Sequence, residues 1–230
     1  MSSHQVLNIG LILFPGYQWL DAAGCIDYLF NHSREALAPY FSHSNPGVVA
    51  KAPSMKWHYI SSDRSLVHAT SGPPQLPTAT YDDCPGLDLL VVPGPDPTFP
   101  PPPGFVEFMQ KRYADPELKA LLMVCTGSIM VAHSGILDGR QVCSNKFILK
   151  EMATAGTLNR KVKWIGDRRW IVDGKLWSAG GVTCGVDLAA EYGRVHFDKE
   201  VGQTAMHISE YKPNPDKPDF FAYITVGVDL

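Results

Sequence analysis

The run Leu121-Leu122-Met123-Val124 is apolar without interruption and stops at Cys125. An unbroken apolar run of this length suits a strand that is buried on both faces. Thr126-Gly127-Ser128 follows, and a helical pattern then continues through Val131, Ala132 and Leu137 to Gly139. Strand, sharp turn and helix together make a nucleophile elbow, which lifts one side chain above the carboxyl edge of a sheet. Cys125 holds that position. The N–H groups that open the helix favour a thiolate, so this thiol is expected to titrate low.

Two more runs are mainly apolar and read as buried strands. Leu7 to Phe14 is ended by Pro15-Gly16, and Leu87 to Val92 by Pro93-Gly94-Pro95. A helix is expected from about 21 to about 31, and an irregular or partly helical stretch over 33–56. Short strands are expected at 57–61 and 65–69, around the turn Ser62-Asp63-Arg64. The tract from Pro95 to Gly104 carries five further prolines, at 97, 100, 101, 102 and 103. That density excludes regular structure and predicts a stiff surface loop. A helix at 105–114 precedes the elbow strand. Beyond the elbow the pattern predicts a helix at 147–155 and short strands at 162–165, 169–172 and 176–178, with Asp173-Gly174 as a hairpin turn. Helices at about 183–199 and 200–210 follow.

Strands alternating with helices imply an α/β sandwich with a mainly parallel central sheet covered on both faces. Sites in such sheets lie outside the carboxyl ends of the strands. Asp21, Gly94 and Cys125 each fall just after a predicted strand and are expected to converge there. No repeat or composition break divides the chain, so one domain over 1–230 is expected, with its core at about 7–211.

The chain has 230 residues, 45% of them hydrophobic, and a formal net charge of -3. Neither a nucleic-acid surface nor another charged partner follows from that balance. No apolar stretch reaches the roughly 20 residues that span a bilayer. The opening Met1-Ser2-Ser3-His4-Gln5 lacks a signal-peptide layout. The five cysteines at 25, 84, 125, 143 and 184 have no CxxC spacing. An odd, scattered set argues against a disulfide framework and points to a reducing, cytoplasmic compartment. Cys25, Cys84, Cys143 and Cys184 read as small packing residues. His4, His32, His43 and His58 show no metal-ligand spacing, and His133 lies too far past Cys125 to serve it as a base. Neither a metal nor a cofactor is expected.

Asp21 has two readings, a cap for the helix it opens or a carboxyl partner of the Cys125 sulfur with a pKa raised by burial. Gly180-Gly181 either permits close backbone packing or cradles an anion. Trp19, with Tyr17 and Gln18, either walls a substrate pocket or packs across an interface between copies.

Several segments in this order resemble the ThiJ/PfpI superfamily. They are Ile9–Gly24 with Phe14-Pro15-Gly16 and Leu20-Asp21-Ala22-Ala23-Gly24, Asp88–Gly94, Val124-Cys125-Thr126-Gly127-Ser128, Gly135–Arg140 and Ser178–Asp187. Aspartate in the first segment, threonine after the cysteine and the tail Glu210-Tyr211-Lys212-Pro213-Asn214-Pro215 resemble the isocyanide hydratase group. The resemblance implies a flavodoxin-like fold, a homodimer, and a small-molecule substrate. It also implies Cys125 as nucleophile, Asp21 as its carboxyl partner and a Thr126 backbone N–H near the sulfur.

Two positions depart from relatives. Thr126 stands where a peptidase-like branch has histidine, which argues against a Cys-His protease. Pro95 stands where a second glycine would offer an oxyanion-hole N–H, and proline has none. The resemblance therefore implies a cofactor-free cysteine hydratase or lyase acting on an isocyanide. The alternatives are a glyoxalase- or deglycase-like enzyme on reactive carbonyls, a specialised biosynthetic enzyme, and a non-enzymatic redox or stress protein. No DNA-binding helix-turn-helix is expected beyond the sandwich.

Overall fold

A computed structural model describes residues 5–230. The reading of Met1–His4 as lacking a signal layout lies outside those residues. The elements in chain order are β1 (Val6–Ile12), α1 (Trp19–Phe30), α2 (Arg34–Phe41), α3 (Pro46–Lys51), β2 (Ser54–Ser61), β3 (Ala79–Thr80) and β4 (Leu89–Val92). Then come α4 (Phe105–Ala114), β5 (Ala120–Val124), α5 (Gly127–Ala132), β6 (Gln141–Val142), α6 (Lys146–Thr154), β7 (Lys163–Trp164), β8 (Trp170–Asp173), β9 (Leu176–Ala179), α7 (Cys184–His196) and α8 (Lys199–Ser209). A 3-10 turn at Phe220–Thr225 closes the chain.

Seven strands form one sheet in the order β3-β2-β1-β4-β5-β9-β8. All pairs are parallel except β8 with β9, the hairpin built on Asp173-Gly174. The three apolar runs supply β1, β4 and β5 at its centre. Beyond the exposed Val6 and half-buried Asn8 at the start of β1, their side chains are buried because helices cover both faces. Leu11 pairs with Val91, and Val92 with Met123, so these strands end at one edge. That edge carries the loops to Asp21, Gly94 and Cys125. Close helix packing uses missing side chains. A Cβ on Gly185, at the start of α7, would come within 2.7 Å of Val124 on β5.

Several local expectations change. Residues 65–69 form a single bridge, Val67 to Gln75, in place of a strand. Their backbone is used elsewhere: His68 accepts from Gly16 at 2.7 Å and Thr70 donates to Tyr17 at 2.8 Å. The elbow helix ends at Ala132, not Gly139, because the chain turns through Gly135 at φ +77°. The stretch 33–56 holds two short helices capped by Ser33 and Asn45. Segment 162–165 pairs only with β6, in a separate two-stranded sheet. The helix expected over 183–199 ends at His196, and Asp198 caps the next.

The C-terminal segment is held by polar contacts. Asp187 on α7 accepts Arg169 Nε at 2.9 Å and the Asn214 N–H at 2.7 Å, and also the Tyr211 hydroxyl. The tail motif and the aspartate that ends the Gly180-Gly181 segment thus serve one structural clasp. Among the described residues no helix is long and apolar enough to cross a membrane.

Candidate functional site

Cys125 has φ +56°, a left-handed conformation that only one other described non-glycine residue adopts. Such backbone costs energy and persists only where its surroundings hold it. Here the Cys125 N–H donates to Gly180 O at 3.0 Å. Its carbonyl accepts Ser144 Oγ at 2.8 Å and Ser128 Oγ at 3.1 Å. Gly127 lets the elbow seat on β4, since a Cβ there would run into the Val92 and Pro93 carbonyls. The elbow expected from the sequence is therefore present, and its turn falls on the cysteine itself.

Asp21 is the third residue of α1; the capping position belongs to Gln18. The carboxyl is fully buried. Its Oδ2 accepts the Gly94 N–H at 3.0 Å, while Oδ1 has no partner with full hydrogen-bond geometry. Burial pushes Asp21 up to about 7, although the Gly94 N–H and contact with the Cys125 thiol pull the other way.

The Cys125 thiol is pushed up to about 12, first by burial and then by the Asp21 charge. The Thr126 N–H, the Asn145 amide and the Thr126 hydroxyl oppose that shift. The low-titrating thiol expected from the helix field is thus corrected. The helix is only six residues long, and Cys125 is buried, 7% exposed, beside a carboxyl. Asp21 and Cys125 form one acid–base pair, which retains a single proton across neutral and mildly alkaline pH.

Gly94 locks this pair. A Cβ at Gly94 would lie 2.8 Å from Thr126 N and 2.9 Å from Asp21 Oδ2. Its carbonyl accepts the Gln18 N–H at 2.8 Å. Pro95 offers no N–H, but its carbonyl accepts Thr126 Oγ1 at 2.6 Å. The Pro93-Gly94-Pro95 turn thereby braces Asp21 and Thr126 together.

Gly180 serves close packing, whereas a Cβ on Gly181 would meet only the Asn145 amide, at 3.7 Å. Gly180 donates to Arg169 O at 2.8 Å, and a Cβ on it would sit 2.9 Å from Lys146 Nζ. Trp19 is half-buried under the turn at Gly72, whose added Cβ would lie 2.8 Å from the indole. His133 ends α5 and is exposed.

Exposure does not single out Cys125, because Cys84 is 9% exposed. Burial raises all four other thiols, Cys25 and Cys143 to about 12. What distinguishes Cys125 is the strained backbone and the carboxyl beside it. Ser144 and Asn145 are site residues that the sequence did not flag. Their only local signal was an asparagine just before a helical pattern, which reads as a cap.

A cavity of about 510 Å³ between α1, α7 and α8 is lined by Tyr28, His32, Trp170, Phe197 and Met206. None of Asp21, Gly94, Cys125 and Thr126 lines it, so volume alone would misplace the chemistry. Among the described residues no group of three or more His, Cys, Asp or Glu side chains could hold a metal ion.

Comparison with known proteins agrees with this architecture. The model of the DJ-1/PfpI family matches residues 42–194. An isonitrile hydratase of Pseudomonas putida is 28% identical over 211 residues, which cover 91% of this chain and 80% of that protein. Among solved structures, a ThiJ/PfpI family protein from Pseudomonas syringae superposes with a TM-score of 0.69 at 22% identity, covering 92% of this chain and 78% of its own. Schizosaccharomyces pombe DJ-1 superposes with a TM-score of 0.63 at 13% identity, over 90% of this chain and 100% of that one. An AraC family transcriptional regulator from Pseudomonas putida shares the fold too, with a TM-score of 0.66 at 16% identity, over 88% and 99%.

Proposed function

The chain belongs to the DJ-1/PfpI family, and within it we propose a cysteine-dependent hydratase that converts an isocyanide to the N-substituted formamide. The observation that carries this reading is the buried Asp21 carboxyl, raised to about 7 against the Cys125 thiol. A carboxyl poised near neutrality both takes and returns a proton. The similarity to the isonitrile hydratase supports the substrate class.

Asp21 takes the thiol proton as the Cys125 sulfur attacks the terminal carbon of the isocyanide. Asp21 then delivers that proton to the same carbon, leaving a thioimidate with a carbon–nitrogen double bond. Water adds across this bond, its hydroxyl to carbon and its proton to nitrogen. The tetrahedral adduct loses its hydroxyl proton to the Asp21 carboxylate as the C–S bond breaks. The formamide leaves, and the proton returns to the Asp21–Cys125 pair. One difficult addition becomes two easier steps, the general advantage of a covalent intermediate.

Pro95 fits this chemistry. Hydrolysis of an amide or ester builds an oxyanion at once, and loss of one donor there costs about 3–4 kcal/mol. Attack on an isocyanide carbon builds charge that a proton quenches, and Asp21 is the group placed to supply it.

The test is turnover of aryl and alkyl isocyanides, followed as formamide, beside methylglyoxal as the reactive carbonyl. Formamide is expected from the wild type and none from Cys125→Ala. Asp21→Asn is expected to fold but to lose turnover, since an amide cannot deliver the proton. Near-wild-type activity in Asp21→Asn would overturn the mechanism. Turnover of methylglyoxal alone would replace the substrate class.

A further inference from the structure

Three consecutive residues grip the elbow. Ser144 Oγ donates to the Cys125 carbonyl at 2.8 Å. Asn145 Oδ1 accepts the Ile148 N–H at 3.2 Å, as the cap of α6. Lys146 is buried, donates to Arg168 O at 2.8 Å and forms an ion pair with buried Asp219. Its ammonium lies against Gly180, whose carbonyl holds the Cys125 N–H.

The cap decides how the Asn145 amide points. With Oδ1 committed to Ile148, the two donors of Nδ2 face away from the helix. They face the Gly180-Gly181 turn that holds the elbow: a Cβ on Gly181 would lie 3.7 Å from Nδ2, the adjacent Ser144 Oγ is bonded to the Cys125 carbonyl, and hydrogen bonding from the Asn145 amide is among the influences that pull the thiol down. The other donors near the sulfur are partly spent, since the Thr126 hydroxyl is bonded to the Pro95 carbonyl. Asn145 is therefore a side-chain donor fixed at the reacting atom from outside the elbow.

We propose that Asn145 is a catalytic residue, whose amide N–H stabilises the Cys125 thiolate as it attacks and again as it is expelled. In the second role the inference rests on the hydratase reading. When the C–S bond of the tetrahedral adduct breaks, its electron pair returns to sulfur. Asn145 is then the fixed donor that meets the growing charge. Lys146 and Asp219 act behind it as positioning residues, holding the start of α6 in place.

Asn145→Asp separates catalysis from capping. Aspartate caps a helix as well as asparagine does, so α6 keeps its cap, but a carboxylate replaces the donor at the sulfur. Asn145→Ser also preserves the cap while withdrawing the amide and adding no charge. The rate of Cys125 alkylation by iodoacetamide is measured at a fixed pH of about 8, with thermal melting of each variant as the folding control. Both variants are expected to melt close to wild type. Their alkylation rates should fall about tenfold, the loss of thiolate at fixed pH that one pH unit of thiol destabilisation gives. The turnover number on isocyanide should fall by a similar factor.

A folded variant of either kind with the wild-type alkylation rate would overturn the proposal, and if Asn145→Asp fails to fold, Asn145→Ser decides. Iodoacetamide needs no natural substrate, so the two readings fail separately. Slowed alkylation without isocyanide turnover in the wild type keeps the donor and removes the hydratase. Isocyanide turnover with unslowed alkylation does the reverse.

Discussion

Two aspartates are buried to the same degree and are used in opposite ways. Asp21 and Asp187 are 0% and 1% exposed. Asp187 receives both Arg169 Nε and Nη2 on one oxygen, and the Tyr211 hydroxyl with the Asn214 N–H and amide on the other. Asp21 receives one N–H, from Gly94, its second oxygen has no partner with full hydrogen-bond geometry, and the carboxyl stands against the Cys125 thiol. A buried carboxylate that is paired and fully bonded is a structural clasp, whereas one left short of donors favours its protonated form. The number of donors, and not burial, separates the proton carrier from the brace in this molecule.

The largest effect expected from this contrast is at the clasp. Asp187→Ala leaves the Arg169 guanidinium, largely buried, without its partner. Breaking one side of a buried pair costs about 3–5 kcal/mol. Urea unfolding should register that loss, while the alkylation rate of Cys125 stays where it is. A loss below 1 kcal/mol would mean that Asp187 is no more structural than Asp21.

At Asp21 the same kind of substitution should act in the other direction, and only at high pH. An acid whose pKa rises on folding keeps, in the native chain, a proton that the unfolded chain has lost. The two states differ in this way between about pH 4 and about pH 7. Stability from this group is therefore whole below about pH 4, falls as pH rises through that window, and is fully lost above it. A shift of about three units is worth on the order of 4 kcal/mol as a ceiling. Asp21→Asn removes the cost and can still accept the Gly94 N–H. It is expected to be about 2–4 kcal/mol more stable than wild type at pH 8 and nearly equal to it at pH 4. Equal stability at both values would show that the carboxyl is ionised at no cost, and with it the contrast would disappear.

The fold was largely readable because its centre is written in mostly apolar runs, broken only near their starts by Asn8 and Asp88. Leu7–Phe14, Leu87–Val92 and Leu121–Val124 became β1, β4 and β5, and their ends brought Asp21, Gly94 and Cys125 to one edge. Edge elements were harder to read. Residues 65–69 have strand-like composition, but Val67 bridges Gln75 alone, while the His68 carbonyl accepts from Gly16 and the adjoining Thr70 donates to Tyr17. The electrostatics of the site were half readable: burial raises Asp21, as one of its two readings had it, but the thiol moves the other way. A helix after a cysteine predicts a low thiol pKa, but burial and a facing carboxyl arise only when distant segments meet. Asn145 stayed hidden for a related reason. Its cap role is local, whereas its contact with the sulfur depends on where β9 and α6 pack.

The smallest expected effect tests whether the two aspartates act independently. Tyr211→Phe removes one donor from Asp187 and keeps the ring that packs edge-on against Tyr28 at 5.6 Å. The affected oxygen retains the Asn214 N–H at 2.7 Å and its amide at 3.3 Å, and the other oxygen retains Arg169. A hydrogen bond to a charged group contributes about 1.5–3 kcal/mol. Because the remaining donors share the load, a loss of about 1–2 kcal/mol is expected. That loss should be the same at pH 5 and pH 8, since Asp21, the group that titrates between them, is untouched. It should leave the alkylation rate of Cys125 untouched. A pH-dependent loss, or a changed alkylation rate, would mean that the clasp reaches the Asp21–Cys125 pair through Arg169 and Gly180, which share a backbone hydrogen bond of 2.8 Å. The proton carrier and the brace would then be one coupled network.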